Sequence, residues 1–581
     1  MNRSSAVSTL LALIVSGLPV AGACPARYSG GERVLETPND LRATGRRGAV
    51  VSAHPLATAI GLEVLKEGGN AADAAVATAL ALAVVHPQAG NLGGGGFLLF
   101  HEASGKDHAL DFREKAPRRA SRDMFLDGKG RVRTGASLWT ARASGVPGSP
   151  AGLEALHRRF GTRTWKSLVA PAIRLAREGF VIDPFLARAI RAKRRVFAKW
   201  EATARIFLPE GKPLAEGALL VQPDLARTLE DLAEGGAEAF YRGRAGKRLA
   251  EWMRRQGGLI DEKDLTDYSV VWRRPIRVRY RGFRVLSMPP PSSGGVALSQ
   301  MLAFMEPFDV RGAGFGSAAC LHRMIEAMRR AYADRAKWLG DPDFYPVPLE
   351  GLLAPAYLKK MLEGYSPKRA RPEVPAGNPR AFLRESKETT HFSILDPRGN
   401  AVSCTTTLNS SFGNGQVVPG AGFFLNNEMD DFSAKPWAPN QFGLVGAEAN
   451  AIAPGKRMLS SMTPAIVLGP EGKRVVLVLG SPGGGRIINT VFQVLLNVLD
   501  HRLPLHLAVS APRIHEQWRP VEVFWEPMAL APEVRKELER RGHRFAPSPA
   551  TIGRCQAVLR RPDGRIEAAA DPRSGGAAGA F

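Results

Sequence analysis

Residues 71–85, AADAAVATALALAVV, predict an Ala-rich apolar helix. Asn70 stands where an N-cap belongs, with Asp73 three residues on. His86-Pro87 ends the segment, and Asn91-Leu92 followed by Gly93 to Gly96 leads into a short apolar run, Phe97 to Phe100. The order is helix, glycine loop, buried strand. Four glycines let backbone approach either backbone or a ligand, and both readings stand at this point. Residues 150–260 carry mixed helical periodicities. Pro289 to Gly295 (PPPSSGG) reads as a rigid turn before another helix, and 317–339 as a long helix. The texture changes at Pro372 to Glu388, which is polar, Pro-containing and aperiodic, and reads as an exposed linker. Beyond it, His391 to Leu395 alternates, Asp396 to Gly399 is turn sequence, and Ala401 to Leu408 alternates again, which predicts a hairpin. Ile466 to Leu468 and Val475 to Leu479 are further short strands, and Ser481 to Gly485 opens a helix to about Leu499.

Composition adds boundaries. Of 581 residues, 44% are hydrophobic and 23% charged, which excludes a wholly disordered chain. The net charge is +24, but the Arg residues are spread out without a basic tail. The excess therefore reads as solvated surface, with no nucleic-acid partner expected. Met1 to Ala23 has the form of a secretory signal: Arg3, an apolar stretch from Leu10 to Val15, and Ala21-Gly22-Ala23 before the cut. The expectation is an exported protein, periplasmic or secreted, with lipid attachment at Cys24 as an alternative. The four cysteines are far apart, so no disulfide scaffold is expected, and Cys404 falls at a core position. The His residues lack metal-ligand spacing, and no metal or cofactor is expected.

Three features suggest chemistry. Thr389 lies at the seam between linker and hairpin. If the bond before it were cut, its own α-amine, with a pKa of about 7.7–8.0, would become a base attached to the nucleophile. Gly483-Gly484 precede a helix, where two backbone N–H groups suit a developing oxyanion. Arg113, Asn409, Glu428, Asp430, Asp431, Ser460 and Ser461 together offer groups for the carboxylate and ammonium of an α-amino acid. Each feature alone also has a plainer structural reading.

The motifs Thr389-Thr390-His391-Phe392-Ser393, Leu425 to Phe432 (LNNEMDDF), Leu459-Ser460-Ser461-Met462 and Gly480 to Gly484 (GSPGG) resemble those of γ-glutamyltranspeptidases. So do Gly68-Gly69-Asn70, Asp111 to Glu114, the PPPSSGG turn and Asp571-Pro572-Arg573, all in collinear order. The resemblance implies an α+β, N-terminal-nucleophile hydrolase fold, an αββα sandwich. It also implies a precursor that cuts itself before Thr389 into a large subunit, 24–388, and a small subunit, 389–581. By motif position, Thr389 would be nucleophile and its amine the base. Thr407 would support that nucleophile, and Gly483 and Gly484 would supply the oxyanion amides. Arg113, Ser460 and Ser461 would take the substrate α-carboxylate, and Asn409, Glu428 and Asp431 its α-amine. Residues 433–443 match the family's lid, with Phe442 at the aromatic gate and Trp437 unassigned. Glu428 stands where some members have Gln. The implied activity is γ-glutamyl transfer from glutathione or a similar compound to water, or to an amino acid or peptide acceptor. The rivals are a cephalosporin-acylase-like relative and an inactive secreted basic binding protein.

Overall fold

The computed structural model describes residues 40–379 and 391–581. The signal segment, Cys24, the end of the linker and Thr389-Thr390 lie outside them.

Two seven-stranded antiparallel sheets form the centre. The first runs, edge to edge, Arg42–Gly45, Ile566–Ala570, Gln556–Arg560, Val475–Gly480, Ala465–Leu468, Phe283–Ser287, Ile276–Tyr280. The second runs Ala577–Ala580, Ala49–Ser52, Phe392–Leu395, Ala401–Thr407, Gly95–His101, Asp107–Phe112, Val271–Arg273. Side chains alternate between the faces of the second sheet, as the pleat requires. Val50, Leu98, Phe100, Val402 and Cys404 join a core with the helices Ala71–Val85, Trp165–Glu178 and Pro223–Tyr241. Ala49, Val51, Phe97, Leu99 and Ala401 turn to the other side and share a core with the first sheet. Helices Gly294–Met305, Ala318–Trp338 and Arg486–Leu499 cover that sheet's far face. This is the αββα layering.

The local signals hold where the chain is described. Helix Ala71–Val85 starts at a capping box: the Asn70 side chain accepts from the Ala72 and Asp73 amides, and Asp73 accepts from the Asn70 amide. The hairpin pairs Phe392–Leu395 with Ala401–Thr407. The glycine run resolves to the packed reading. A Cβ on Gly94 would stand 2.0 Å from the Thr407 carbonyl oxygen, and one on Gly96 would stand 2.5 Å from that of Thr405. The run lets two strands approach and does not line the cavity described below. Cys320, Cys404 and Cys555 are free and buried. No helix of the described residues is long and apolar enough to cross a membrane.

Candidate active site

A cavity of about 260 Å³ opens where the hairpin, the lid and the 483–485 turn meet. His391 and Phe392, which follow Thr389 and Thr390 in the chain, line it. Thr407, Asn409, Asp431, Phe442, Ser460, Ser461, Gly483 and Gly484 line it as well. Residues spread over some hundred positions thus converge because strand Val475–Gly480 and strand Ala401–Thr407 face one another across the two sheets.

Gly483 and Gly484 have φ of +138° and +56°. These conformations turn the chain sharply between strand Val475–Gly480 and helix Arg486–Leu499. The Phe442 ring lies directly on Gly484, so that a Cβ there would come within 2.7 Å of it. The lid is tied down around that contact. Asn440 donates to Asp431 (3.3 Å) and accepts from the Phe442 amide (3.0 Å), the Gln441 amide donates to Asp430 (3.1 Å), and Gln517 donates to the Phe442 carbonyl (3.1 Å).

Arg113 is fully buried behind the cavity wall. Its Nη1 lies 2.6 Å from Glu428 and 3.3 Å from Glu114, and its Nη2 lies 2.7 Å from Asp431. Three carboxyls around one guanidinium exceed the charge it can neutralise. Burial pushes Glu428 up to about 8, and Asp431 and Glu114 up to about 7, while Arg113 opposes each rise. The cluster therefore holds protons at neutral pH. Ser460 is anchored by its backbone: its amide donates to the Pro291 carbonyl (3.0 Å), and its own carbonyl accepts from the Ser293 hydroxyl (2.7 Å). Arg335 donates to the Ser461 hydroxyl (3.2 Å).

A family model described as "Gamma-glutamyltranspeptidase" matches residues 57–581. The chain belongs to the γ-glutamyltranspeptidase family. It is similar to a glutathione hydrolase proenzyme of Escherichia coli (strain K12), 47% identical over 530 residues and covering 91% of each chain. An acylase ACY 1 proenzyme of Pseudomonas sp. (strain SE83) is 38% identical over 543 residues, covering 92% of this chain and 93% of that protein. Among solved structures, a cephalosporin acylase from Bacillus halodurans superposes with a TM-score of 0.82 at 29% identity, covering 96% of this chain and 99% of that one.

Thr407 and Asn409 do not share a strand face. The strand ends at Thr407, and Asn409 adopts φ +68°, with its amide donating to the Thr407 hydroxyl (2.7 Å) and its side chain donating to the Asn427 carbonyl (2.9 Å). Both residues still reach the cavity, by a turn rather than by the pleat. Arg113 and Glu428, which the resemblance assigns to opposite ends of a substrate, stand 2.6 Å apart. Three contributors were missed. Glu114 completes the buried charge cluster. Arg335 lay unassigned in the long helix. His391 is buried among the hydroxyls of Ser393 (2.5 Å), Ser403 and Thr405, and burial lowers its pKa to about 3. It stays neutral and fills the space above Gly480. The only sequence signal for His391 was its place in the Thr-Thr-His-Phe-Ser motif. Among the described residues no group of three or more metal-ligating side chains is assembled.

Proposed function

We propose that the chain is a self-processing γ-glutamyltransferase and glutathione hydrolase, cut before Thr389 into segments 24–388 and 389–581. One observation carries the reading. A single cavity joins the strand that follows Thr389, a two-glycine turn opening a helix, the Ser460-Ser461 pair, and Asp431, which links the cavity wall to the buried Arg113 and Glu428 behind it. The similarity to glutathione hydrolase proenzymes supports γ-glutamyl compounds such as glutathione as substrates. Ser460 and Ser461 receive the substrate α-carboxylate together with the guanidinium of Arg113. Asp431, Glu428 and Asn409 receive the α-ammonium, and an ammonium turned toward Asp431 loosens that carboxylate's hold on Arg113.

The Thr389 hydroxyl then attacks the γ-carbonyl carbon, and its proton passes to the Thr389 α-amine. The Gly483 and Gly484 amides carry the negative oxygen. The C–N bond breaks, the leaving amine takes the proton, and a γ-glutamyl ester on Thr389 remains. Water or an acceptor amine cleaves the ester by the same steps. Self-cutting uses the same hydroxyl, which attacks the carbonyl of residue 388 to give an ester that water opens. The wild-type protein should therefore run as two chains on a denaturing gel, and Thr389→Ala as one inactive chain. A Thr389→Ala chain cut before residue 389 in a protease-free preparation would remove the self-processing step.

The acylase reading is favoured by the close superposition on the cephalosporin acylase. The higher identity to the glutathione hydrolase and the presence of the Ser433 to Gly443 lid over the turn weigh for γ-glutamyl substrates. Parallel turnover of γ-glutamyl and glutaryl anilides separates the two. An acceptor dipeptide added to the first assay divides transfer from hydrolysis.

A further inference from the structure

A second cavity, of about 600 Å³, lies on the far side of the strap that pins the lid. Its walls come from helix Ala318–Trp338, from residues 369–375, from the strap 516–523 and from 541–544. Its lining is unusually basic: Arg329, Arg369, Arg371, Arg519, Arg541 and Arg544 face three glutamates, Glu373, Glu516 and Glu522. One of those glutamates adds little charge, since burial raises the Glu516 carboxyl to about 8 and it holds its proton at neutral pH. Some of the arginines are spoken for. Arg541 donates to Glu537 (2.8 Å), and Arg329 donates to Glu326 (2.9 Å) and to the Arg371 carbonyl (2.7 Å). Arg369, Arg519 and Arg544 form no ion pair with a described residue, and Arg519 is held over the Trp518 ring at 5.1 Å. At the floor, Arg329 is 5% exposed, and its Nε has no hydrogen-bond partner among the described residues. Glu516 Oε1 lies 4.0 Å from it and is itself without a hydrogen-bond partner among the described residues.

Repulsion among these guanidiniums is a cost that a monomeric surface relieves by spreading charge. Here the fold concentrates it in a concave site with an unsatisfied buried donor at its base. We infer that this cavity binds a small polyanion, a molecule with two or more carboxylate or phosphate groups spaced to reach both the buried Arg329 and the rim Arg519 and Arg544. Planar guanidinium forks suit either oxyanion. The site is separate from the γ-glutamyl cavity, with which it shares no lining residue. It adjoins the lid, because Trp518 on its wall stands 6.4 Å, edge to face, from lid residue Trp437, and Trp518 donates to the carbonyl of Val374, another wall residue (2.7 Å). That contact gives Trp437 a place in the molecule that the transfer chemistry does not.

The test is calorimetric titration of the full processed protein with pyrophosphate and, separately, citrate, at constant ionic strength. The expected result is one site per molecule for at least one probe, unaffected by saturating glutamate in the γ-glutamyl cavity. Arg519→Gln/Arg544→Gln should weaken it at least about tenfold, the loss expected when charge-assisted contacts are removed, with γ-glutamyl anilide kcat/KM unchanged. Both side chains are exposed, so the variant should fold normally. Binding of citrate alone assigns a polycarboxylate ligand, and of pyrophosphate alone a polyphosphate. The inference is overturned if neither probe binds at millimolar concentration, if the double variant binds as the wild type does, or if glutamate displaces the probe.

Discussion

Gly484→Ala tests the oxyanion turn most directly. The new Cβ would meet the Phe442 ring at 2.7, 2.8 and 3.0 Å, all tighter than van der Waals contact allows. It would also hold alanine at φ +56°, a left-handed conformation that costs about 1–2 kcal/mol for a residue with a Cβ. Overpacking adds about 1–3 kcal/mol if nothing moves. Phe442 is only partly buried and sits on a loop, so the ring yields first and the overpacking share falls mainly on the lid. Backbone strain remains at the turn and tilts the amide away from the carbonyl oxygen. Loss of one oxyanion donor lowers kcat by about 10²–10³. The expected result is a kcat for γ-glutamyl anilide hydrolysis down about 10²-fold, with a two-chain gel pattern and a small loss of thermal stability. Gly484→Ala/Phe442→Ala should recover most of the stability and little of the rate. A kcat within about threefold of wild type in Gly484→Ala would refute the amide's role, against that expected range. Recovery of the rate in the double variant would place the defect in the lid instead.

Two further outcomes follow from the charge clusters. The Asp431 carboxyl, raised to about 7, protonates as pH falls through that value and then loses its attraction for the substrate ammonium, so KM should rise below about pH 7. Glu428, pushed up to about 8, already holds its proton where Asp431 titrates, so Glu428→Gln should leave the pH of the KM limb in place; a limb moved to lower pH would show that Glu428 carries charge there. Asp571 bridges Arg513 (2.7 Å) and Arg573 (2.9 Å) and accepts from the Cys555 amide (2.8 Å), in full burial. Asp571→Ala strands Arg513 and should cost about 3–5 kcal/mol in urea unfolding. The Asp571 pKa is depressed in the fold, chiefly by Arg513 against the opposing effect of burial. The wild-type carboxylate therefore contributes its stability above the unfolded pKa of about 3.9 and loses it as pH falls through the folded one. The gap to the variant should close below about pH 4, and a pH-independent gap would count against an ionic origin.

The parts of the fold that were readable in the chain are those whose cause is local. The 71–85 helix announces itself through an N-cap and a carboxylate three residues on, and the 392–407 hairpin through alternation across a turn. Strands Ile566–Ala570 (IEAAA) and Ala577–Ala580 (AAGA) carried no such sign. Alanine and glycine are poor strand formers, and these segments are strands because Arg42–Gly45 and Ala49–Ser52 pair with them from the other end of the chain. The site divides in the same way. The glycine turn and the paired serines stand out as short motifs. The pairing of Arg113 with Glu428 and Asp431 joins positions more than three hundred residues apart and has no local pattern to betray it. Asn409 shows the limit of periodicity, since the strand ends at Thr407 and a turn, not the pleat, places the side chain two residues on.

The strand order of the second sheet bears on how the molecule could be made. Ala49–Ser52 lies between Ala577–Ala580 and Phe392–Leu395, and Gly95–His101 receives Ala401–Thr407 along its whole length. Every one of those neighbours comes from the far side of position 389. A gene split at that position would yield an N-terminal product with two ladders left open and apolar, ready to stack on copies of itself. The peptide link through residue 388 is thus a tether that supplies local concentration while the sheets zip together. Once they have closed, shared backbone ladders and two common cores hold the pieces, and dilution should not separate them. On the proposed cut before Thr389, covalent continuity would serve the assembly of this protein and would be dispensable to its maintenance. Mixing separately denatured pieces should therefore restore far less active material than refolding the uncut chain.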